Sequence, residues 1–458
     1  VTAGLTAAMA LGNVVAPAAM VLAAPTGSTV TFSDADYAAS TTYKGIQIFK
    51  ATVSSADGAK TVSNIEWASD DAEAAVVAAI KAKEPGYTSN NAQDAADWLS
   101  ANAGVTGTDS KVASDNVLSL IAAKLNGNDE WKETTAPDAS LSNLEAGYWL
   151  FLTATAGTPD GKSTDAFTSP VYAVIDGVSA TTVTPKKGVP TVEKKILDDA
   201  DAADVADIKG SDKWKDVADS QIGQKVNYRL TGTIASNYAT FDTYAYKFTD
   251  VLSSGLDYVN GSVEVYAKNG GTYSQIDAGK YDVAWDANTL TVEFKVGDGK
   301  KGLKDVEGVD ANTQIVVFYK AKLNGNAVIG NAAGDSKGGN PNTVKLEYSN
   351  NPYAEGTGQT IEDTVADFAF KLNLNKVDQG TEKGLAGAVF TIQSADANTE
   401  GQYVASKADD AAGVVAGQLV TVADANDLPD YVKFTSADDG KIAVSGLDAG
   451  SYKVTEVQ

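Results

Sequence analysis

The chain has no histidine and no cysteine in 458 residues. Without imidazole there is no Ser-His-Asp or Cys-His nucleophile pair and no imidazole metal site. An enzyme built from these residues would have to run on carboxylates, lysines or hydroxyls, as glycosidases do with paired acids. Without cysteine there are no disulfides, so a strand-rich exported chain must be held together by other means. Cations are scarce: 36 Lys and Arg stand against 60 Asp and Glu, for a net charge of −24. Nucleic acid and anionic membrane surfaces would be repelled, so neither is expected as a partner. Long apolar runs are also missing, with one exception. The first 24 residues carry no Lys or Arg, hold both methionines (Met9 and Met20), and end in small residues before Pro25. Gly12 and Pro17 interrupt that stretch as a helix, and residues 1–27 read as the remnant of a secretory signal. No later run is long enough to span a membrane.

The length suggests about three domains, each able to bury its own core. The first is expected over residues 28–188. Tyr43–Ala51 alternates with the period of a strand. Ser69 can cap a helix over Asp70–Ile80, whose first-turn acids suit the helix dipole. Two further short helices are read at Ala92–Ser100 and Val112–Leu125, the latter stopped by Asn126-Gly127. Strands return at Leu144–Thr153 and Val171–Ile175. Asp138-Ala-Ser-Leu-Ser142 has the Asp-x-Ser-x-Ser spacing of an adhesion-domain metal site. Trp131–Pro137 precedes it rather than a buried apolar strand, so no metal is assigned, and no cofactor is called for. The second domain, residues 189–362, is strand and turn throughout. Val226–Leu230, Tyr244–Phe248, Ser262–Tyr266, Tyr281–Trp285, Leu290–Phe294 and Ile315–Tyr319 recur between Gly, Asn and Asp turns, the pattern of a β-sandwich. The third domain is expected over residues 363–458, with Phe368, Phe370, Leu372, Leu374 and Lys376 on one face of its first strand.

The junction Val183-Thr-Pro-Lys-Lys-Gly-Val-Pro-Thr-Val-Glu-Lys-Lys195 organises the rest. Pro185 and Pro190 each bias the preceding residue toward extended geometry, which predicts a stiff, exposed connector bearing Lys186 and Lys187. Val192, Lys194 and Ile196 then share one strand face, which turns Lys194 inward. An exposed lysine after a proline, followed by an inward lysine, resembles the pilin motif and first core strand of the sortase-assembled backbone pilins of Gram-positive bacteria. Phe248–Leu256, Asn324–Gly330 and Gly339–Pro352 resemble that family's middle domain, in order over much of its length. Gly384–Phe390 and Val444–Glu456 resemble the two ends of a collagen-adhesin B-type domain.

The resemblance implies a mainly β chain of tandem immunoglobulin-like (collagen-adhesin A/B-type) sandwich domains, the first with a helical insert. It implies a secreted, cell-wall-anchored shaft subunit of an extracellular pilus (fimbrium), supporting adhesion and colonisation. The intersubunit link would be at Lys186, with Lys187 as the alternative. The implied partners are other pilin subunits in a covalent homopolymer, a pilus-specific sortase and minor pilins. Host glycans or matrix proteins would be ligands under the alternative reading, a monomeric wall-anchored adhesin or minor pilin. The resemblance also places a final strand and sorting signal after Gln458.

A lysine on an apolar strand face is costly when charged, and its pKa is driven down. The neutral amine is a nucleophile. Facing an asparagine amide and a carboxyl kept protonated by the same surroundings, it can displace ammonia and leave an isopeptide bond. Such a protein is its own single-turnover catalyst and otherwise no enzyme. In the second domain Lys194 is the candidate amine, with Lys195 left open. Asn342 lies on the domain's last strand, expected to pair as a neighbour with the first strand that carries Lys194; it shares an inward face with Val344, Leu346 and Tyr348 and is the candidate amide, with Asn340 and Asn331 as alternatives. The acid is drawn from the face shared by Asp242, Tyr244, Tyr246, Phe248 and Asp250, with Asp242 preferred at mid-strand and Asp250 second. In the third domain Lys376 and Glu456 match the family's lysine and acid, the asparagine falling beyond Gln458. Leu144-Glu-Ala-Gly147 parallels Leu447-Asp-Ala-Gly450, which puts Thr153 in the first domain where Glu456 stands in the third. The first domain is therefore expected to lack that bond.

Overall fold

The computed structural model describes residues 27–33, 40–56, 59–103, 111–158, 161–203, 207–330 and 338–458. The segment read as a signal remnant, except Gly27, and the alternative amide Asn331 lie outside the described residues. The chain is mainly β and folds as tandem sandwich domains, the first carrying the expected helical insert.

In the first domain, a sheet ordered Ala59–Trp67, Thr42–Ala56, Gly147–Thr155, Val171–Ile175 faces a three-stranded sheet of Ser140–Leu144, Ser28–Phe32 and Thr181–Val183. The helices Asp70–Lys83, Ala92–Asn102 and Val117–Lys124 cover the large sheet's other side. This explains why Tyr148-Trp-Leu-Phe-Leu152 is an unbroken apolar run. Trp149 and Phe151 pack between the sheets while Tyr148, Leu150 and Leu152 pack under the helices, so the strand is buried on both faces. Ser69 does cap the first helix, its hydroxyl accepting from the Ala72 N–H. The third helix begins later than expected because Asn116 caps it at Val117.

The second domain is a two-sheet sandwich. One sheet runs Thr272–Gln275, Glu264–Asn269, Gln314–Leu323, Lys225–Gly232, Val192–Leu197. The facing sheet runs Val217–Asp219, Asp363–Phe368, Asn340–Ser349, Tyr246–Leu252, Thr289–Phe294, Tyr281–Asp286. Two expectations are corrected here. The strand Asp363–Phe368, read as opening the third domain, is antiparallel to Asn340–Ser349 with Val365 opposite Asn342, and belongs to the middle sheet. The apparent period through Phe368 and Phe370 is broken at buried Ala369, where the chain leaves that sheet; Phe370 is exposed and pairs with Leu447 instead. The strands of Lys194 and Asn342 are also not hydrogen-bonded neighbours. They lie in opposite sheets and meet across the core.

The third domain pairs Phe370–Asn375 with Lys441–Leu447, and Val389–Ser394 with Tyr452–Glu456, over a small core that includes Ile392, Val404, Phe434 and Val444. It is fastened to the second at Ile222, whose N–H donates to the Gly446 carbonyl at 3.0 Å. Gly446 has φ 84°, and a Cβ there would meet the Ile222 Cγ1 at 2.4 Å, so only glycine fits.

Candidate functional site

Lys194 is delivered by a strand whose neighbours Ile196 and Leu197 are buried, and the alternation puts its own side chain wholly inside the sandwich. Its N–H is held by the Asp363 carboxylate at 2.7 Å. Lys195 points the other way, into a surface pair with Asp216 at 2.5 Å. Asp250 enters from Tyr246–Leu252, on the face with Tyr246, Phe248 and Leu252, and is also fully buried. The Lys194 Nζ donates to both Asp250 oxygens, at 2.6 and 2.7 Å, and to the Tyr319 hydroxyl at 2.9 Å. That hydroxyl donates to Asp250 Oδ2 at 2.5 Å and accepts from the Asn342 Nδ2 at 2.6 Å. Amine and amide thus share one hydroxyl and lie within two hydrogen-bond lengths of each other. The Asn342 Oδ1 is buried without a hydrogen-bond partner among the described residues. Tyr228 stacks on Tyr319, with ring centroids 5.2 Å apart, and the amine lies 5.3 and 5.2 Å from the two ring centroids.

The electrostatics follow from this enclosure. Burial pushes the Lys194 ammonium down to about 8, against the opposing pull of Asp250. The same desolvation raises the Asp250 carboxyl, opposed by Lys194. Both shifts favour a neutral amine beside a protonated acid, the pair that amide aminolysis requires.

Asp242, the preferred acid, is not in this site. It lies on the surface, its carboxylate 2.8 Å from Lys301, because the chain bends at residues 242–243 before the strand begins at Tyr246. Asp250 alone of the two reaches the amine. Asn340 is inward too, but its amide is already committed. Oδ1 accepts from the Val328 N–H, and Nδ2 donates to the carbonyls of Val328 and Asp367. Tyr319 was missed by sequence reasoning, hidden in the apolar run Ile315–Tyr319. Its signal was that it is the polar member of the inward set Ile315, Val317, Tyr319, Ala321, Leu323.

In the third domain Lys376 and Glu456 meet at 2.8 Å, both partly exposed. In the first domain Thr153 is buried and accepts from the Thr168 N–H at 3.0 Å.

The junction is a closed seam rather than an exposed connector, which corrects the expectation for both lysines. The Lys186 N–H donates to the Thr168 hydroxyl at 2.6 Å, the Ser169 N–H donates to the Lys186 carbonyl at 2.8 Å, and Lys186 is half-buried. The Lys187 side chain is only 5% exposed and pairs with Asp165, itself 1% exposed. The seam is closed from the second domain. Phe167 N–H donates to the Asn350 carbonyl at 2.8 Å, Ser236 donates to the Lys187 carbonyl at 2.8 Å, and Asn237 donates to the Phe167 carbonyl at 2.9 Å.

Comparison with known proteins agrees with this architecture. Residues 222–352 match a Gram-positive pilin backbone subunit 2, Cna-B-like domain, and residues 370–458 match a prealbumin-like fold domain. Among solved structures, the T6 backbone pilin of serotype M6 Streptococcus pyogenes superposes with a TM-score of 0.53 at 15% identity, covering 94% of this chain and 76% of that one. BcpA, the major pilin subunit of Bacillus cereus, gives 0.43 at 15% identity over 94% and 87% of the two chains. RrgB, the major pilin of Streptococcus pneumoniae, gives 0.41 at 16% identity over 72% and 78%. No curated protein matches the chain.

Proposed function

We propose, from the premise that this chain carries a Gram-positive pilin-backbone domain followed by a prealbumin-like domain, that it is the shaft subunit of a covalent extracellular pilus. In this reading a pilus-specific sortase joins subunits through Lys186, and the subunit is hardened internally by an isopeptide bond between Lys194 and Asn342. The observation that carries the reading is the buried amine, acid and amide assembled on one tyrosine hydroxyl. A structural ion pair alone would not need an amide brought to the same hydroxyl.

The chemistry is a single aminolysis. The Lys194 ammonium gives a proton to Asp250, and the free amine attacks the Asn342 Cγ. The protonated Asp250 hydrogen-bonds to the developing oxyanion. On collapse the C–N bond to Nδ2 breaks and that nitrogen leaves as ammonia, taking the amine's second proton through Asp250. Tyr319 holds the amide nitrogen and the acid in register throughout, a positioning part. The bond ties one sheet to the other across the core, which suits a subunit that transmits tension along a fibre. Lys376 and Glu456, 2.8 Å apart, take the parts of amine and acid in the third domain. The chain is in this sense structural, with one turnover on itself.

Wall extracts of cells expressing the protein should show regular ladders above the monomer mass, lost on Lys186→Ala. Monomer alone in wild-type extracts would instead favour the wall-anchored adhesin or minor pilin.

A further inference from the structure

Attack on the Asn342 amide places negative charge on Oδ1, and a buried oxyanion is stabilised by donors already aimed at it. Protonated Asp250 supplies one. We propose that the Tyr228 hydroxyl supplies the second, as a further catalytic residue of the bond-forming site. The inference rests on the reading of Lys194 and Asn342 as a bond-forming pair and goes beyond it by naming a residue that sets the rate.

Tyr228 and Tyr319 stand opposite one another on the adjacent strands Lys225–Gly232 and Gln314–Leu323. Their rings lie 5.2 Å apart and 12° from parallel, so the two phenols run side by side, and both are fully buried. They differ in what their protons do. The single proton of the Tyr319 hydroxyl goes to Asp250 Oδ2, while its oxygen accepts from the Asn342 Nδ2 and the Lys194 Nζ. Tyr319 thus holds the amide nitrogen but has no proton left for the amide oxygen. The Tyr228 hydroxyl lies beside the same Asn342 side chain, short of hydrogen-bond geometry. It and the Asn342 Oδ1 are both buried without a hydrogen-bond partner among the described residues. Buried polar groups are nearly always paired, so a spare donor next to a spare acceptor calls for an explanation. The gap itself supplies one: a donor that meets Oδ1 only as the carbon turns tetrahedral stabilises the transition state and not the ground state. Burial pushes the Tyr228 phenol well above its ordinary value, so it donates without ionising. Asp367, which also faces Tyr228, bonds to Ser220 and is pushed up to about 8 by burial, so at neutral pH it is no charged competitor for that proton.

In the step itself, the neutral Lys194 amine attacks the Asn342 Cγ, the new N–C bond forms, and the carbonyl π pair moves onto Oδ1. There Asp250 and Tyr228 hold it by hydrogen bonds, and the Tyr228 proton stays on its own oxygen. When the pair returns, the bond to Nδ2 breaks and that nitrogen leaves as ammonia with the proton passed through Asp250.

The test follows the freshly synthesised whole chain by intact mass, reading the loss of one ammonia against time. Tyr228→Phe keeps the stacked ring and removes only the hydroxyl, and it should slow that loss on the order of a hundredfold, the scale of removing one oxyanion donor. Once its bond has formed, the variant should melt within about 2 °C of the wild type, because a donor used only in the transition state holds nothing in the finished fold. Tyr244→Phe removes a hydroxyl buried elsewhere in the same core, between Tyr238 and Phe241, and should leave the rate unchanged. A Tyr228→Phe rate within about tenfold of the wild type overturns the proposal. So does equal slowing by Tyr244→Phe, or a bonded Tyr228→Phe chain that melts well below the wild type, which would make the hydroxyl a structural part. Should Tyr228→Phe not fold, 3-fluorotyrosine in place of Tyr228 has nearly the same shape and a more acidic hydroxyl; it should speed the loss, and an unchanged rate overturns the proposal. A wild type that never loses ammonia instead overturns the bond reading on which the proposal stands, so the wild-type trace tells the two failures apart.

Discussion

Asn342→Ala should lower the melting temperature of the middle domain by roughly 10–20 °C. The bond from Lys194 to Asn342 closes a loop of about 150 residues. In the chain-entropy treatment of cross-links a loop of that size restricts the unfolded chain by about 5 kcal/mol. For a domain of this size each kcal/mol moves the midpoint by about 2–4 °C. Asn342 is the informative position because its removal leaves the Lys194–Asp250 pair intact. Lys194→Ala would add the separate penalty of a buried carboxyl without its partner. Calorimetry of the two chains side by side, with intact mass on each, decides the matter. A variant melting within about 2 °C of the wild type, with both masses equal to their sequence masses, would refute the covalent tie.

Asp250→Ala should abolish the bond, while Asp242→Ala should leave it formed and change stability by no more than about 0.5 kcal/mol, because Asp242 is a surface ion-pair partner; intact mass separates the two. Tyr319→Phe should still yield the bond, but more slowly, since it removes the hydroxyl that holds the amide and leaves the amine and acid in contact; the mass of freshly made protein followed over time reads this. Asp367 is fully buried, and desolvation pushes its carboxyl up to about 8. The folded chain keeps that proton through a window, from about pH 4 to about pH 8, in which the unfolded chain has released it, so stability falls as pH rises through the window. Asp367→Asn should therefore stabilise by roughly 2–4 kcal/mol at pH 8 and by little at pH 4.5, and equal effects at both would contradict the assignment. Gly446→Ala should loosen the contact with Ile222 and lower the third domain's melting transition.

The strand faces were legible because an apolar face has period two. Lys194, Asp250 and Asn342 each interrupt such a face, and an ionisable or amide group there announces itself. The same period misled at Asp242. Tyr244 is buried, although it lies ahead of the strand in a bridge to Gly302, so the alternation carries through a bend that the residue types do not mark. The reading of 363 as a domain boundary failed for a related cause: the last strand of one sandwich and the first of the next are both apolar and separated only by Ala369. Tyr319 was invisible because a tyrosine in a run of valines and isoleucines looks like core until its hydroxyl is placed. The pairing of Lys187 with Asp165 could not be read at all. It joins a connector to a loop with no periodicity, closed by residues of another domain.

The most direct test of the account is peptide mapping of the purified chain after proteolysis. It predicts one branched peptide in which the Lys194 Nζ is joined to the Asn342 side chain, lighter than its two parts by one ammonia, and absent from Asp250→Ala. Recovery of Lys194 and Asn342 on separate, unmodified peptides from folded wild-type protein would contradict it.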